Sequence, residues 1–176
     1  MVIVLSILIT YSMGSLSAAP WIPTKTKQRK RLVEIIPIKD NDIIYDLGCG
    51  DGSVLFGLSQ KNKNVKTFGF EISLFPYFIA RARKLLGGSK YKNVTIKYRN
   101  LFTQNLKNAD IIFIFLLSTS YNKLISKFSR NLKDSCLVVV EAWPLPNLKP
   151  HKVVKEDNLL AVYFYKGYQF KDNSPK

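Results

Sequence analysis

The stretch that decides the fold is Asp42-Ile43-Ile44-Tyr45-Asp46-Leu47-Gly48-Cys49-Gly50-Asp51-Gly52. Its first half is a compact apolar run, the pattern of a strand covered on both faces in a parallel sheet. Its second half places glycine at 48, 50 and 52, and Ser53 to Gln60 then reads as a helix. A glycine loop between a strand and a helix is informative, because Gly48 and Gly50 accept positive φ and let the backbone press against a ligand. Glu71 lies about 20 residues further on, at the end of the next apolar segment, where an acid can accept from both hydroxyls of a ribose. The pairing points to a nucleoside-containing ligand. Position 53 is Ser, so the loop is not the G-x-G-x-x-G of a dinucleotide site, and no Gly-Lys-Ser/Thr follows that would make a P-loop.

Outward from this stretch, strands and helices alternate. Thr26 to Ile36 reads as a short amphipathic helix, with Leu32, Val33, Ile35 and Ile36 on one side and basic residues on the other, stopped by Pro37. Val65 to Glu71, Asn93 to Arg99, Asp110 to Leu117 and Ser135 to Glu141 read as further strands; Ser73 to Leu86 and Tyr121 to Leu132 read as helices. The tail from His151 to Lys166 alternates twice around Asp157-Asn158, as a terminal hairpin would. The expected fold is α/β, with a mostly parallel sheet and an antiparallel C-terminal hairpin. Ligands in such sheets bind beyond the C-terminal ends of the strands. Phe68, Phe70, Phe75, Tyr77 and Phe78 read as core rather than as a base-stacking platform. Trp143-Pro144-Leu145-Pro146 reads as a rigid loop over the ligand end of the sheet, its Trp equally suited to binding a substrate.

The chain has 176 residues, 47% of them hydrophobic, with 27 Lys and Arg against 12 Asp and Glu and a formal net charge of +15. This composition fits one domain and excludes a disordered or collagen-like chain. Two cysteines, Cys49 and Cys136, and a single histidine, His151, exclude a disulfide framework, a Cys-based zinc site and a His-pair metal site. Cys49 reads as a small packing residue of the loop. The charge is unevenly placed: residues 1–24 carry none, and Lys25, Lys27, Arg29, Lys30 and Arg31 follow at once. As a helix, residues 1–19 would span roughly 28 Å, close to a bilayer core. Pro20 and Pro23 would end it and Trp21 would sit at the interface. The expectation is a single-pass anchor over residues 1–19, a catalytic domain over residues 20–176, and a basic collar that keeps this domain in the cytoplasm. A cleaved signal peptide ending at Ser17-Ala18-Ala19 and a buried core helix are the alternatives.

The segment Asp46-Leu47-Gly48-Cys49-Gly50-Asp51-Gly52 resembles motif I of the class I S-adenosylmethionine-dependent methyltransferases. The uncharged N-terminal segment, Ala19-Pro20-Trp21-Ile22-Pro23-Thr24 and Phe115-Leu116-Leu117-Ser118 extend the likeness. With them the chain is similar to the small membrane-anchored protein-lysine methyltransferases, relatives of the enzymes acting on the ATP synthase c-subunit and the adenine nucleotide translocase. The resemblance implies a Rossmann-like sheet and S-adenosyl-L-methionine as cofactor. It places Asp46, Gly48, Cys49, Gly50 and Asp51 around the amino-acid part, Glu71 at the ribose, and Asn100 and Leu101 at the adenine. Two positions depart from the pattern: Asn100 stands where Asp is frequent, leaving an uncharged amide acceptor, and Ser53 stands where Arg is frequent. No Asn-Pro-Pro-Tyr follows the fourth strand, so nucleobase-amine methylation is not favoured.

Methyl transfer needs donor and acceptor held close and water excluded, with no dedicated base. Ser118 and Thr119 are candidates for lining the acceptor channel, and Glu141 for an acceptor-side acid. Their alternatives are a helix N-cap for Ser118 and a solvated strand-end charge for Glu141. The expected acceptor is a lysine of a membrane or membrane-associated protein. Methylation of RNA, of a small molecule or lipid, and binding of the cofactor without catalysis are the competing functions.

Overall fold

The computed structural model describes residues 22–171; the expected spanning segment, residues 1–19, and Trp21 lie outside them. Among the described residues no helix is long and apolar enough to cross a membrane. The elements are α1 (Thr26–Ile35), β1 (Ile43–Leu47), α2 (Ser53–Lys61), β2 (Lys66–Glu71), α3 (Leu74–Gly87), β3 (Val94–Tyr98) and β4 (Ile111–Ile114). Then follow α4 (Tyr121–Asn131), β5 (Leu137–Glu141), β6 (Lys152–Val154), β7 (Val162–Lys166) and the short α5 (Tyr168–Lys171).

Among the described residues seven strands form one sheet in the order β3-β2-β1-β4-β5-β7-β6. β1 to β5 are parallel, β7 runs antiparallel beside β5, and β6 closes the hairpin outside it. All residues of β4 and β5 are buried, as apolar runs covered on both faces require. One face packs under α1 and α2 through Leu32, Ile36, Val54 and Leu58 against Ile44 and Val139. The other packs under α4 and α5, with Phe128 meeting Phe170 edge-on at 5.2 Å. Burying aromatic and aliphatic side chains of this size contributes about 1.5–3 kcal/mol each.

The chain order reverses between β1 and β4, since β2 and β3 lie to one side and β4 and β5 to the other. In an open α/β sheet the crevice at such a switch point is where a ligand sits. β4 ends at Ile114 rather than at Leu117, because Phe115, Leu116 and Leu117 leave the ladder to line that crevice.

Two expectations about surfaces are corrected. Arg31 is buried although it lies on the basic side of α1. Its two terminal nitrogens donate to the carbonyls of Leu160 and Val154, both at 3.0 Å, and its Nε lies 3.3 Å from the Glu156 carboxylate, so the end of β6 and the loop to β7 hold the charge. Phe75 and Phe78 are not core. The side of α3 that meets the sheet is occupied by Pro76 and Ala80, which leaves both rings outward. Phe70 is buried, and Phe68 and Tyr77 are partly so.

Candidate active site

The glycine loop is held in place mainly by backbone. The N–H groups of Gly48 and Cys49 both donate to the carbonyl of Phe70, at 2.9 and 3.1 Å, and the Gly52 N–H donates to the Cys49 carbonyl at 2.8 Å. Gly48, Gly50 and Gly52 have φ of +85°, +54° and +73°. At Gly48 the conformation calls for glycine, and a Cβ would also lie 2.9 Å from Leu116 Cδ2 and displace that side chain. Cys49 packs beside Gly69 of β2, where an added Cβ would come within 2.7 Å of the sulfur. Burial pushes its thiol well above the ordinary range, which agrees with a packing role.

Glu71 ends β2 and is buried. One carboxylate oxygen accepts from the Gly50 N–H at 2.9 Å; the other accepts from the N–H groups of Ile72 at 2.8 Å and Ser73 at 2.7 Å. The acid therefore fixes the loop relative to the start of α3 and keeps an acceptor position for a ligand hydroxyl. Asp51 accepts from the Ser53 N–H at 3.0 Å, capping α2, and pairs with Arg83 at 3.0 Å. Arg83 also donates to the Asp51 carbonyl at 3.1 Å.

These residues line an open cleft across the ends of β1, β2 and β4. Its walls include Asp46, Gly48, Cys49, Gly50, Asp51 and Glu71, with Asn100 and Leu101 at one end and Phe115, Leu117 and Trp143 at the other. Ile22, Pro23 and Thr24, which lead into α1, form part of the rim. Burial, with the Glu71 and Asp51 carboxylates nearby, pushes Asp46 well above the usual carboxylate range. Three acids around one cleft, in a chain of net charge +15, make a local site for a cationic ligand.

The residues expected around the cofactor are thus brought together. Asn100 is among them, but its amide oxygen accepts from the Phe102 N–H at 2.9 Å and caps the turn Leu101–Thr103. Ser118 and Thr119 are exposed just beyond the cleft, whose lining stops at Leu117. Ser118 is not the helix cap either: it opens a single 3-10 turn, and Ser120 precedes α4.

Glu141 is not a solvated charge. It is 0% exposed and lies outside the cleft lining, and neither carboxylate oxygen makes a hydrogen bond of good geometry. Burial pushes it up to about 7, an effect partly offset by the Gln28 amide and the Arg31 guanidinium of α1. The alternation of β5 turns it with Leu137 and Val139 toward α1, away from the α4 face.

Immediately after it the backbone is strained. Ala142 has φ of +78°, and the Trp143 N–H donates to the Glu141 carbonyl at 3.2 Å, closing a γ-turn. This turn directs Trp143 into the cleft, where it stacks on Phe115 with centroids 6.5 Å apart and planes 19° apart. No local pattern in the sequence pairs these rings, although they follow the ends of two neighbouring strands, β4 and β5.

Sheet order, glycine loop and acid together define a class I methyltransferase that uses S-adenosylmethionine. The cleft suits that cofactor by chemistry: carboxylates for a sulfonium, and at Gly48 a floor that a side chain would fill. The chain belongs to the family whose model is described as the ANTKMT methyltransferase domain, matched over residues 46–152. It is 31% identical over 153 residues to a protein-lysine N-methyltransferase of Saccharolobus islandicus, covering 83% of this chain and 92% of that one. It is 22% identical over 152 residues to the Homo sapiens lysine N-methyltransferase of the ATP synthase c-subunit, covering 86% of this chain and 63% of the relative. In structure it is similar to an RNA methyltransferase from Salinibacter ruber solved with S-adenosyl-L-homocysteine. That likeness has a TM-score of 0.75 and 23% identity, and covers 82% of this chain and 93% of the other.

Proposed function

We propose that this methyltransferase transfers methyl groups to a lysine amine of a membrane or membrane-associated protein. The observation that carries the lysine reading is the aromatic end of the cleft. Phe115 and Trp143 stand beyond the strands next to the switch point and present stacked faces where an acceptor enters. An aromatic wall attracts an ammonium group and, by excluding water, favours the neutral amine once it is inside. The names of the relatives support the same acceptor class.

When bound, S-adenosylmethionine supplies a methyl group activated by a sulfonium. The chain's own residues supply position and environment. Glu71 and the loop from Gly48 to Asp51 would hold the ribose and amino-acid parts, and Asn100 and Leu101 would border the adenine. Ser118 and Glu141 lie outside the lining, so we assign them no direct contact with the acceptor.

The membrane part of the proposal rests on the uncharged residues 1–24 and the basic collar after them. A single-pass anchor with its domain on the cytoplasmic side fits that charge order. The test is transfer of radiolabelled methyl from S-adenosylmethionine into membranes, with products separated into protein, lipid and RNA. Label in lysine of a membrane protein, lost with Glu71→Ala, is expected; label in RNA or lipid alone would reject the lysine reading.

A further inference from the structure

The helix α3 presents an apolar surface that the fold does not use. Its sheet-facing side carries Pro76 and Ala80. On the other side Phe78, Ile79, Ala82, Leu85 and Leu86 follow a spacing of three and four residues, which puts them in one stripe. Phe78 is 61% exposed, Leu85 81% and Leu86 87%, the two leucines more open than any other large hydrophobic side chain among the described residues. Ile79, Ala82 and Leu86 also floor a shallow groove whose far wall is Tyr91, with Lys90 at its edge.

The surroundings of this stripe are of one charge. No acidic residue occurs between Glu71 and Asp110, while Arg81, Lys84, Lys90, Lys92, Lys97 and Arg99 all fall within that interval. The topology gathers them at one side of the molecule, because β3 is the outermost strand and α3 packs beside it. Arg83 alone has an acidic partner there among the described residues, Asp51.

We propose that α3 and the adjoining turn Gly88–Tyr91 lie on an anionic lipid surface. The stripe would enter the headgroup–acyl boundary, and the flanking Lys and Arg would meet lipid phosphates. A helix of 14 residues with a continuous apolar face and a basic border has the form of an interfacial helix. RNA would use the charge but leave the leucines in water. A second copy of this chain would bury the leucines but bring like charges together, and it is the alternative that the test addresses through self-association. The inference shares with the proposed function only the premise that the chain works at a bilayer, and it is independent of whether residues 1–19 cross one.

The full chain carrying Ala82→Cys is labelled with an environment-sensitive fluorophore; the native thiols, Cys49 and Cys136, are buried. It is mixed with vesicles of three parts zwitterionic and one part anionic phospholipid, with brominated acyl chains as quencher. Flotation of the same vesicles reads attachment by any route. Quenching to about half the starting intensity, with most of the loss recovered in the Leu85→Glu, Leu86→Glu variant, is expected. Flotation without quenching overturns the role of α3 and leaves the membrane reading standing. No flotation overturns both. Lipid-free self-association abolished by the same pair of substitutions assigns the stripe to a protein interface and overturns the lipid assignment.

Discussion

Replacing Glu71 with Gln tests whether one carboxylate organises the site. The change keeps size and shape but turns one acceptor oxygen into a donor. The two N–H groups on the α3 side, from Ile72 and Ser73, both reach a single oxygen, so the remaining amide oxygen keeps them. The amide NH2 then faces the Gly50 N–H, donor against donor, where the carboxylate accepts at 2.9 Å. One charge-assisted bond is lost and two are weakened to neutral ones, at about 1.5–3 kcal/mol in all. In a domain of this size each kcal/mol moves the thermal midpoint by roughly 2–4 °C, so a fall of about 3–12 °C is expected. The acceptor left for a ribose hydroxyl is also uncharged, and S-adenosylmethionine affinity should fall by about tenfold to a hundredfold. Thermal unfolding of the purified full chain and calorimetric titration with the cofactor read the two effects separately. A variant whose midpoint and cofactor affinity both match the unmodified protein would refute the assignment of Glu71 as the tie between loop, helix and ligand.

Gly48→Ala combines a φ of +85° with a Cβ 2.9 Å from Leu116 Cδ2, and should cost about 1–3 kcal/mol in denaturant unfolding together with most cofactor binding. Ala142→Gly should raise the thermal midpoint, because glycine relieves roughly 1–2 kcal/mol of positive-φ strain against a smaller gain in unfolded-chain entropy. Glu141 gives a pH signature. Its folded-state pKa of about 7 lies above the unfolded value near 4.5, so the native state binds the extra proton between these limits. Its burial is tolerated best below the lower limit, and stability is lost as pH rises through the window, by up to about 3 kcal/mol. Glu141→Gln should flatten that slope and leave the variant more stable than the unmodified protein above pH 7, as read from unfolding midpoints at pH 5 and pH 8.

Much of the fold was legible because its signals are local. Ile43 to Leu47 and Ile111 to Ile114 announce covered strands by continuous apolarity, and Gly48, Gly50 and Gly52 announce a turn that no side chain allows. Glu71 was found by distance along the chain from the loop. Features set by contacts across the fold were hidden. No local pattern shows that hairpin carbonyls will cover Arg31, or that α1 will cover Glu141 with Gln28 and Arg31. The exposure of Phe78 depends on how close α3 sits to the sheet, which Pro76 and Ala80 determine. Phe115 and Trp143 are 28 positions apart, and only the adjacency of β4 and β5 stacks them. The γ-turn at Ala142 has no sequence signature, since alanine is a residue ordinarily excluded from such backbone.

The order of the strands also bears on how the chain behaves among copies of itself. A sheet that does not close has two rims, here the outer sides of β3 and β6, and each offers unpaired peptide groups to any extended segment that drifts near. β6 is three residues long and begins with Lys152, too short and too charged to template much. β3 is longer, but Lys97 lies along it and Arg99 directly follows it. A second copy docking rim to rim would bring the same cations together and strip them of water. The basic side of the molecule therefore also acts as a guard against strand-by-strand aggregation while the nascent chain is still assembling its sheet.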